Sequence, residues 1–155
     1  MAKKIRLENL DALIFDFDGV LTDKRVYVDQ HGGKLVSCNI ADGIAFDVLK
    51  KLCKPTYILS TERNPVVSKR GQKLEIPVLQ CVKNKSDALI SLANEKGYNL
   101  DKILYTGNDL NDFHAIKMCG YSACPADSHF KIKKIADITL KSLGGAGVVR
   151  ELLDF

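Results

Sequence analysis

The chain contains no tryptophan among its 155 residues, and aromatic residues of all kinds make up only 7% of it. Its 23 lysines and arginines are scattered, and the formal net charge is +4. Proteins that bind nucleic acid through stacked bases need a basic stripe interleaved with aromatic side chains. We therefore expect no nucleic-acid partner, whereas a mildly basic surface suits a small anionic substrate.

Long apolar runs are missing as well, since no stretch approaches the ~20 apolar residues of a membrane span. The first residues, Met-Ala-Lys-Lys-Ile-Arg, are too few and too polar for a signal peptide. We expect no membrane partner and a cytoplasmic location. The five cysteines form no Cys-x-x-Cys pair, so neither a disulfide framework nor a zinc site is expected. No Gly-x-Gly-x-x-Gly or P-loop pattern indicates a nucleotide cofactor.

Apolar strand-like runs alternate with helix-like segments along the whole chain. Strands are predicted at residues 13–17, 56–59, 76–79, 102–106, 121–123 and 138–140, and helices at 42–53, from Asn64 onward, and at 86–96, 110–118, 129–135 and 148–153. Such alternation predicts βαβ units. We expect one α/β domain over residues 1–155, Rossmann-like, with a mostly parallel sheet flanked by helices. Residues 25–28 and 34–38 flank a turn-rich segment and predict a protruding β-hairpin.

The most informative segment ends the first predicted strand, where Asp16 and Asp18 stand two residues apart and Gly19 follows. A turn at Gly19 can bring the two carboxylates together, and they then repel each other unless a cation or a proton lies between them. Hard cations such as Mg²⁺ bind carboxylates, water and phosphate oxygens. One hypothesis is therefore a metal-assisted phosphoryl site. The other is a polar strand end, because Asp-Gly is a common turn dipeptide.

Two further polar clusters follow predicted strands. Residues 106–112, after the fourth strand, contain four Asp or Asn side chains, and Ser60 and Thr61 end the second strand. Because ligands bind at the carboxyl ends of the strands in such sheets, the clusters are expected to converge on the Asp-x-Asp pair. The four oxygen donors could complete a Mg²⁺ shell, or they could only cap a helix. Ser60 and Thr61 could cradle phosphate oxygens, or form a simple turn.

Lys85 begins the helix that precedes the fourth predicted strand. It could reach the strand ends and neutralise both a carboxylate nucleophile and a phosphoryl group, or it could be one more surface lysine. In order and spacing, the four motifs resemble those of the haloacid dehalogenase superfamily of phosphotransferases. Asp16 to Thr22 resembles its first motif, Ser60 or Thr61 the second, Lys85 the third and residues 107–112 the fourth.

The hairpin, residues 39–44 and the segment 144–151 resemble the members that lack a cap domain. These are the 3-deoxy-octulosonate 8-phosphate phosphatases and the nonulosonate 9-phosphate phosphatases. The module is also similar to the C-terminal domain of animal CMP-sialate synthetases. The resemblance implies a homotetramer in which the hairpin of one subunit lies near the active site of the next.

The resemblance also implies a mechanism. Asp16 would attack phosphorus and form an aspartyl-phosphate, while Asp18 would protonate the leaving oxygen and then activate water. Lys85 would stabilise charge on the phosphoryl oxygens, with Ser60, Thr61 and Gly19 binding phosphate. Mg²⁺ would be held by Asp16, by Asp18 through its carbonyl, and by an oxygen of the fourth motif.

The chain departs from the family pattern at Asn108, where the family usually has a metal-binding aspartate. A neutral amide should weaken Mg²⁺ binding unless Asp109 replaces it, so Asn108 and Asp109 are both predicted ligands. The sequence leaves open an active phosphatase that requires a high Mg²⁺ concentration. It also leaves open a weakly active or inactive module that serves oligomerisation in sialic-acid activation, and a domain that binds metal or nucleotide without hydrolysis.

A second departure concerns the substrate. Glu62 and Lys73 match the pair found in nonulosonate phosphatases, which favours a nine-carbon acid over an eight-carbon one. Both could instead be surface charges. Arg70 and Asp42 are also predicted to contact the substrate, a phosphorylated 2-keto-3-deoxy sugar acid.

Overall fold

A computed structural model describes residues 4–155, and its centre is a six-stranded, all-parallel sheet. The six strands are β1 (Ala12–Phe15), β4 (Thr56–Leu59), β5 (Val78–Leu79), β6 (Ile103–Thr106), β7 (Tyr121–Cys124) and β8 (Ile138–Thr139), and the hairpin consists of β2 (Tyr27–Val28) and β3 (Lys34–Leu35). The order across the sheet is β5-β4-β1-β6-β7-β8. The predicted parallel α/β architecture and the hairpin are confirmed.

Six α-helices cover the two faces of this sheet. They are α1 (Ile40–Lys51), α2 (Val66–Leu74), α3 (Lys85–Lys96), α4 (Phe113–Met118), α5 (Phe130–Ile135) and α6 (Val148–Leu152). Helix α1 begins two residues before the predicted start, because the Asn39 side chain accepts from Ala41 N at 2.8 Å and caps the helix there. The predicted fourth helix is divided, since Leu110–Asp112 forms a 3-10 turn before α4.

The sheet separates two apolar layers, and β1 contributes to both. Leu13 and Phe15 pack into the layer that contains Phe46 of α1, whereas Ala12 and Ile14 face the layer under α3 and α4. Phe15 meets Phe46 edge to face, with 5.4 Å between the ring centroids. A strand that is buried on both faces needs a continuous apolar sequence, which explains the run before Asp16.

The strand order creates a crevice at the end of β1. The chain runs from β1 outward through β4 to β5, then returns to β6 on the other side of β1. In open parallel sheets the loops on either side of such a reversal separate and leave a binding crevice. Between β1 and α1, residues 16–39 of the described chain contain the hairpin and no cap domain.

Candidate active site

The loops after β1 and β6 lie side by side because their strands are paired. Phe15 is opposite Thr106 in the register, and Asp16 N donates to Thr106 O at 2.9 Å. This pairing brings Asp16 beside the loop that contains Asn108. The predicted convergence of the first and fourth motifs at one sheet edge therefore occurs.

Three oxygen-bearing groups meet at this point. The Asn108 side-chain amide lies 2.9 Å from Asp16 Oδ2 and 3.0 Å from the Asp18 carbonyl oxygen. As an NH₂ group it donates to both, and after a half-turn its oxygen takes the same position. Mg²⁺ binds oxygens octahedrally at about 2.0–2.1 Å, which puts neighbouring ligand oxygens about 2.9 Å apart. The spacing of this set therefore fits a magnesium ion.

The donor set contains only one carboxylate side chain. Among residues 4–155, no three His, Cys, Asp or Glu side chains form a metal cluster. The candidate centre instead combines one carboxylate, one main-chain carbonyl and one amide. Such all-oxygen donors suit Mg²⁺, which usually retains several waters and substrate phosphate oxygens.

Gly19 lets Asn108 approach the loop after β1. Its φ is +87°, and a Cβ there would lie 2.1 Å from the nearer end of the Asn108 side-chain amide. Any larger residue would therefore displace the amide as well as strain the backbone. The Gly19 N–H donates to Thr22 Oγ1 at 3.1 Å. This N–H therefore already has a partner, and the phosphate contact predicted for Gly19 stays a prediction.

Lys85 is buried between two carboxylates. A charged side chain that leaves water needs partners of opposite charge. Its Nζ lies 2.7 Å from Asp16 Oδ1 and 2.7 Å from Asp112 Oδ1. Burial alone would lower the pKa of Lys85, but the charges of Asp16 and Asp112 outweigh it and raise the pKa. The ammonium is therefore charged and held against Asp16, and its role in stabilising a phosphoryl group stays a prediction.

Asp112 positions Lys85 and the loop after β6. Its Oδ1 also accepts from Tyr105 Oη at 2.7 Å, and its Oδ2 accepts from Asn108 N at 2.9 Å and Asp109 N at 3.2 Å. Sequence reasoning did not single out Asp112. Four similar polar side chains follow β6, and no local pattern shows which of them turns inward.

The two acids of the first motif differ in burial. Burial raises the pKa of Asp16 to about 8, the Asp112 charge adds to the rise, and Lys85 opposes it. A cation bound at Asp16 Oδ2 would favour the ionised form. Asp18 is only half-buried, and burial raises its pKa while Lys34 opposes the rise. A raised pKa helps Asp18 to retain a proton that it can donate.

The loop after β4 combines one supporting and one accessible residue. Ser60 is buried, and its Oγ accepts from Glu62 N at 3.1 Å, so it shapes the turn instead of facing the pocket. Thr61 lines the pocket that contains Asp16 and Asp18. Of the two residues predicted to bind phosphate there, Thr61 is therefore the accessible one.

Three residues predicted to bind substrate lie elsewhere. Asp42 is buried, and its Oδ1 accepts from Val149 N at 2.9 Å and Arg150 N at 3.1 Å, so it caps α6. Arg70 and Lys73 line a separate hollow between α1 and α2. These three therefore do not line the pocket above Asp16 in the single chain, and their contact with substrate stays a prediction.

The pocket above Asp16 has a volume of about 500 Å³. Asp109 lines it, with its Oδ1 accepting from Leu110 N at 2.7 Å, so its metal-binding role stays a prediction. Sequence reasoning missed Lys34, which forms an ion pair with Glu62. A lysine in a hairpin gives no sequence signal for this contact. The lining is completed by Asp18, Lys24, Val26, Thr61, Asn108 and Asn111.

Comparison with known proteins identifies the family. Residues 40–152 match the haloacid dehalogenase-like hydrolases. The chain is 31% identical, over 96% of its length and 83% of the relative's, to the 3-deoxy-D-manno-octulosonate 8-phosphate phosphatase of Haemophilus influenzae.

Two solved structures have the same fold. One is a putative hydrolase of this family from Streptomyces avermitilis, with a TM-score of 0.97, 36% identity, and coverage of 99% of this chain and 88% of that one. The other is the cobalt-bound deoxy-D-mannose-octulosonate 8-phosphate phosphatase from Haemophilus influenzae, with a TM-score of 0.90, 31% identity, and coverage of 96% and 87%. This chain therefore belongs to the haloacid dehalogenase-like hydrolase family.

Proposed function

We propose that the protein is a Mg²⁺-dependent phosphatase that hydrolyses the phosphate monoester of a 2-keto-3-deoxy sugar acid. The observation that carries the proposal is the arrangement around Asp16. One of its oxygens is held by Lys85, and the other faces the Asn108 amide. A carboxylate held in this way at the base of an open pocket suits nucleophilic attack on phosphorus.

The reaction proceeds in two displacements. An Asp16 oxygen forms a bond to phosphorus while the bond to the sugar oxygen breaks, and Asp18 gives its proton to that oxygen. Water then attacks phosphorus, Asp18 takes back a proton, and inorganic phosphate leaves Asp16 free. Lys85 stabilises the charge on the phosphoryl oxygens in both steps.

The residues that would hold the metal are Asp16, the Asp18 carbonyl and Asn108. When bound, Mg²⁺ supplies positive charge that offsets the repulsion between the nucleophile and the phosphate dianion. The cobalt-bound relative supports metal use at this kind of site. Magnesium is proposed because every donor here is a hard oxygen.

The relatives support the proposed substrate class. The Haemophilus influenzae relative is an octulosonate 8-phosphate phosphatase. Of the two residues that favour a nine-carbon acid, Glu62 lines this pocket, whereas Lys73 lines a separate hollow of the same chain. The eight-carbon acid is therefore the first substrate to test.

A homotetramer is part of the proposal. On α1 and at its C-cap, the side chains of Ile40, Ile44, Val48 and Leu52 recur every four residues and are all exposed. Apolar residues in the hairpin are exposed too, Val28 at 68% and Leu35 at 71%. A row of exposed apolar side chains like the one on α1 is typical of a subunit interface.

Hydrolysis of p-nitrophenyl phosphate with and without Mg²⁺ tests the activity, with Asp16→Asn as the inactive control. We expect Mg²⁺-dependent turnover in the wild type and at least a thousandfold loss in the variant. The values of kcat/KM for the eight- and nine-carbon sugar-acid phosphates then identify the substrate.

A module without activity is the second candidate, because the Asn108 NH₂ can donate to both Asp16 and Asp18 O and close the site without a cation. Absence of turnover at saturating Mg²⁺ would favour it over the phosphatase.

A further inference from the structure

Two lysines line the pocket above Asp16, and they differ in how much hydrogen-bonding capacity they retain. Lys24 Nζ donates to Asp127 O at 2.6 Å and lies 3.2 Å from Asp127 Oδ2, so its ammonium is turned toward Asp127. Lys34 pairs with Glu62 Oε2, its one acceptor among the described residues. An ammonium has three N–H donors. Lys34 therefore has two donors left in the pocket that it lines.

Glu62 fixes the Lys34 ammonium in place. Its other oxygen, Oε1, accepts from Arg63 N at 2.8 Å and Asn64 N at 2.9 Å. The hydrogen bond from Lys34, followed by those from the main chain, lowers the pKa of Glu62 and keeps it ionised. With both oxygens engaged, Glu62 serves as an anchor for Lys34 more readily than as a direct ligand for sugar hydroxyl groups.

The Lys34 ammonium is also well placed along the path of the substrate. The Lys34 side chain is only 15% exposed, which leaves the pocket as the main space open to its free donors. The leaving sugar oxygen must lie beside Asp18, which lines the same pocket as Lys34. The sugar therefore extends past Lys34 while its phosphate meets Asp16.

We propose that Lys34 binds the carboxylate of the sugar acid and that Glu62 positions the Lys34 ammonium for this contact. A carboxylate is the one anionic group of such a substrate that remains after the phosphate is placed at Asp16. An ammonium–carboxylate hydrogen bond in a partly closed pocket is strong and selective for charge. This inference rests on the proposed function, and it assigns Lys34 to substrate recognition.

The test compares the sugar-acid phosphate with its methyl ester, which lacks only the carboxylate charge. We expect Lys34→Met to lower kcat/KM for the acid by about 10- to 100-fold, mainly through KM. The kcat/KM for the ester should fall much less. The ratio of kcat/KM for the acid to that for the ester should therefore approach one. Lys34→Arg keeps the charge and should keep most of the preference.

Other variants separate this role from a structural one. Glu62→Gln should also reduce the preference for the acid, and its effect should not add to that of Lys34→Met, because both act on one ammonium. Lys51→Met, at an exposed position on α1, is the matched control. Circular dichroism and turnover of p-nitrophenyl phosphate show whether each variant is folded.

Two results would overturn the inference alone: equal losses for acid and ester in Lys34→Met, or a loss of preference in Lys24→Met instead. A wild type that hydrolyses the acid and the ester equally well would overturn it too. A folded wild type that hydrolyses neither, nor p-nitrophenyl phosphate, would contradict the proposed function itself.

Discussion

At the scale of single residues, we expect Asn108 to decide how strongly the site holds a cation. Its amide is within 3.0 Å of both Asp16 Oδ2 and the Asp18 carbonyl oxygen, so it either bridges them by hydrogen bonds or joins them around a metal. An amide oxygen is a neutral ligand, and a carboxylate there would add one negative charge. On the proposed function, we therefore expect this position to set the metal requirement.

Asn108→Asp should lower the Mg²⁺ concentration needed for half-maximal activity by about tenfold, which corresponds to roughly 1.4 kcal/mol. The reason is the extra attraction between the cation and a charged ligand in a buried site. Turnover of p-nitrophenyl phosphate at increasing Mg²⁺ concentrations measures this half-maximal concentration. Asn111→Asp, in the same loop, is the control, and an equal shift there would show a general charge effect.

Much of the site could be predicted from residue types and spacing, and some of it could not. Asp16, Asp18 and Lys85 converge because parallel strands share one carboxyl edge, which is a property of the topology. Asp112 was not predicted because its role depends on which side chain of a polar loop turns inward. Lys34 was missed because the hairpin folds back over the site through a contact between distant segments.

At the scale of elements, the glycine-rich segment before α6 supports the loop after β1. A Cβ at Gly144 would lie 2.1 Å from Gly19 O, and Gly145 N donates to Val20 O at 2.9 Å. Glycine is therefore needed where two stretches of backbone touch. The sequence shows the glycines, but only the fold shows what they pack against.

Gly144→Ala should lower kcat/KM for p-nitrophenyl phosphate at least tenfold, because the new methyl group must displace the backbone that contains Asp18 and Gly19. A shift of about 1 Å at reacting groups can cost roughly a hundredfold in rate. Gly97→Ala is the control, since Gly97 has φ +73° but no atom within 4 Å of a Cβ. It should lose stability without losing activity.

Glu151 connects α6 to the strand end that precedes the glycines. Its carboxylate accepts from Lys141 N at 2.9 Å and Ser142 N at 2.8 Å. Burial alone would raise the pKa of Glu151, but these hydrogen bonds outweigh it and lower the pKa below 4.5. The stabilisation is therefore complete above pH ~4.5, the ordinary glutamate value, and is lost as pH falls through the lowered pKa.

Glu151→Gln should reduce the free energy of unfolding by about 1 kcal/mol at pH 7, a value discounted for solvent screening. The difference from the wild type should shrink as the pH falls below 4.5. Urea unfolding at several pH values measures this difference in the free energy of unfolding. Glu95→Gln, at an exposed position, is the control. A difference that stays constant with pH would show that the charge of Glu151 does not matter.

At the scale of the whole molecule, the apolar sequence and the alternation of elements sufficed to predict a parallel sheet with helices on both sides. They did not predict that α1 leaves an apolar stripe exposed. Ile44 is 52% exposed although the next two residues of the same helix, Ala45 and Phe46, are buried. A single sequence cannot distinguish a helix face that packs in the core from one that packs on another subunit.

The chain should sediment as a tetramer, and Ile44→Asp should shift it toward smaller species, because a charge at an apolar interface loses its hydration. Ile90→Asp on α3, an apolar position of comparable kind at 37% exposure, is the control and should leave assembly unchanged. Sedimentation velocity distinguishes the species. A wild type that sediments as a monomer at micromolar concentration would contradict the proposed assembly.

The most direct test of the account is a crystal structure with Mg²⁺ and a phosphate mimic such as beryllium fluoride. We predict a magnesium ion about 2.1 Å from Asp16 Oδ2, the Asp18 carbonyl oxygen and Asn108 Oδ1, with the mimic bonded to Asp16 beside Lys85. A magnesium ion bound away from Asn108, or a mimic that does not touch Asp16, would contradict the account.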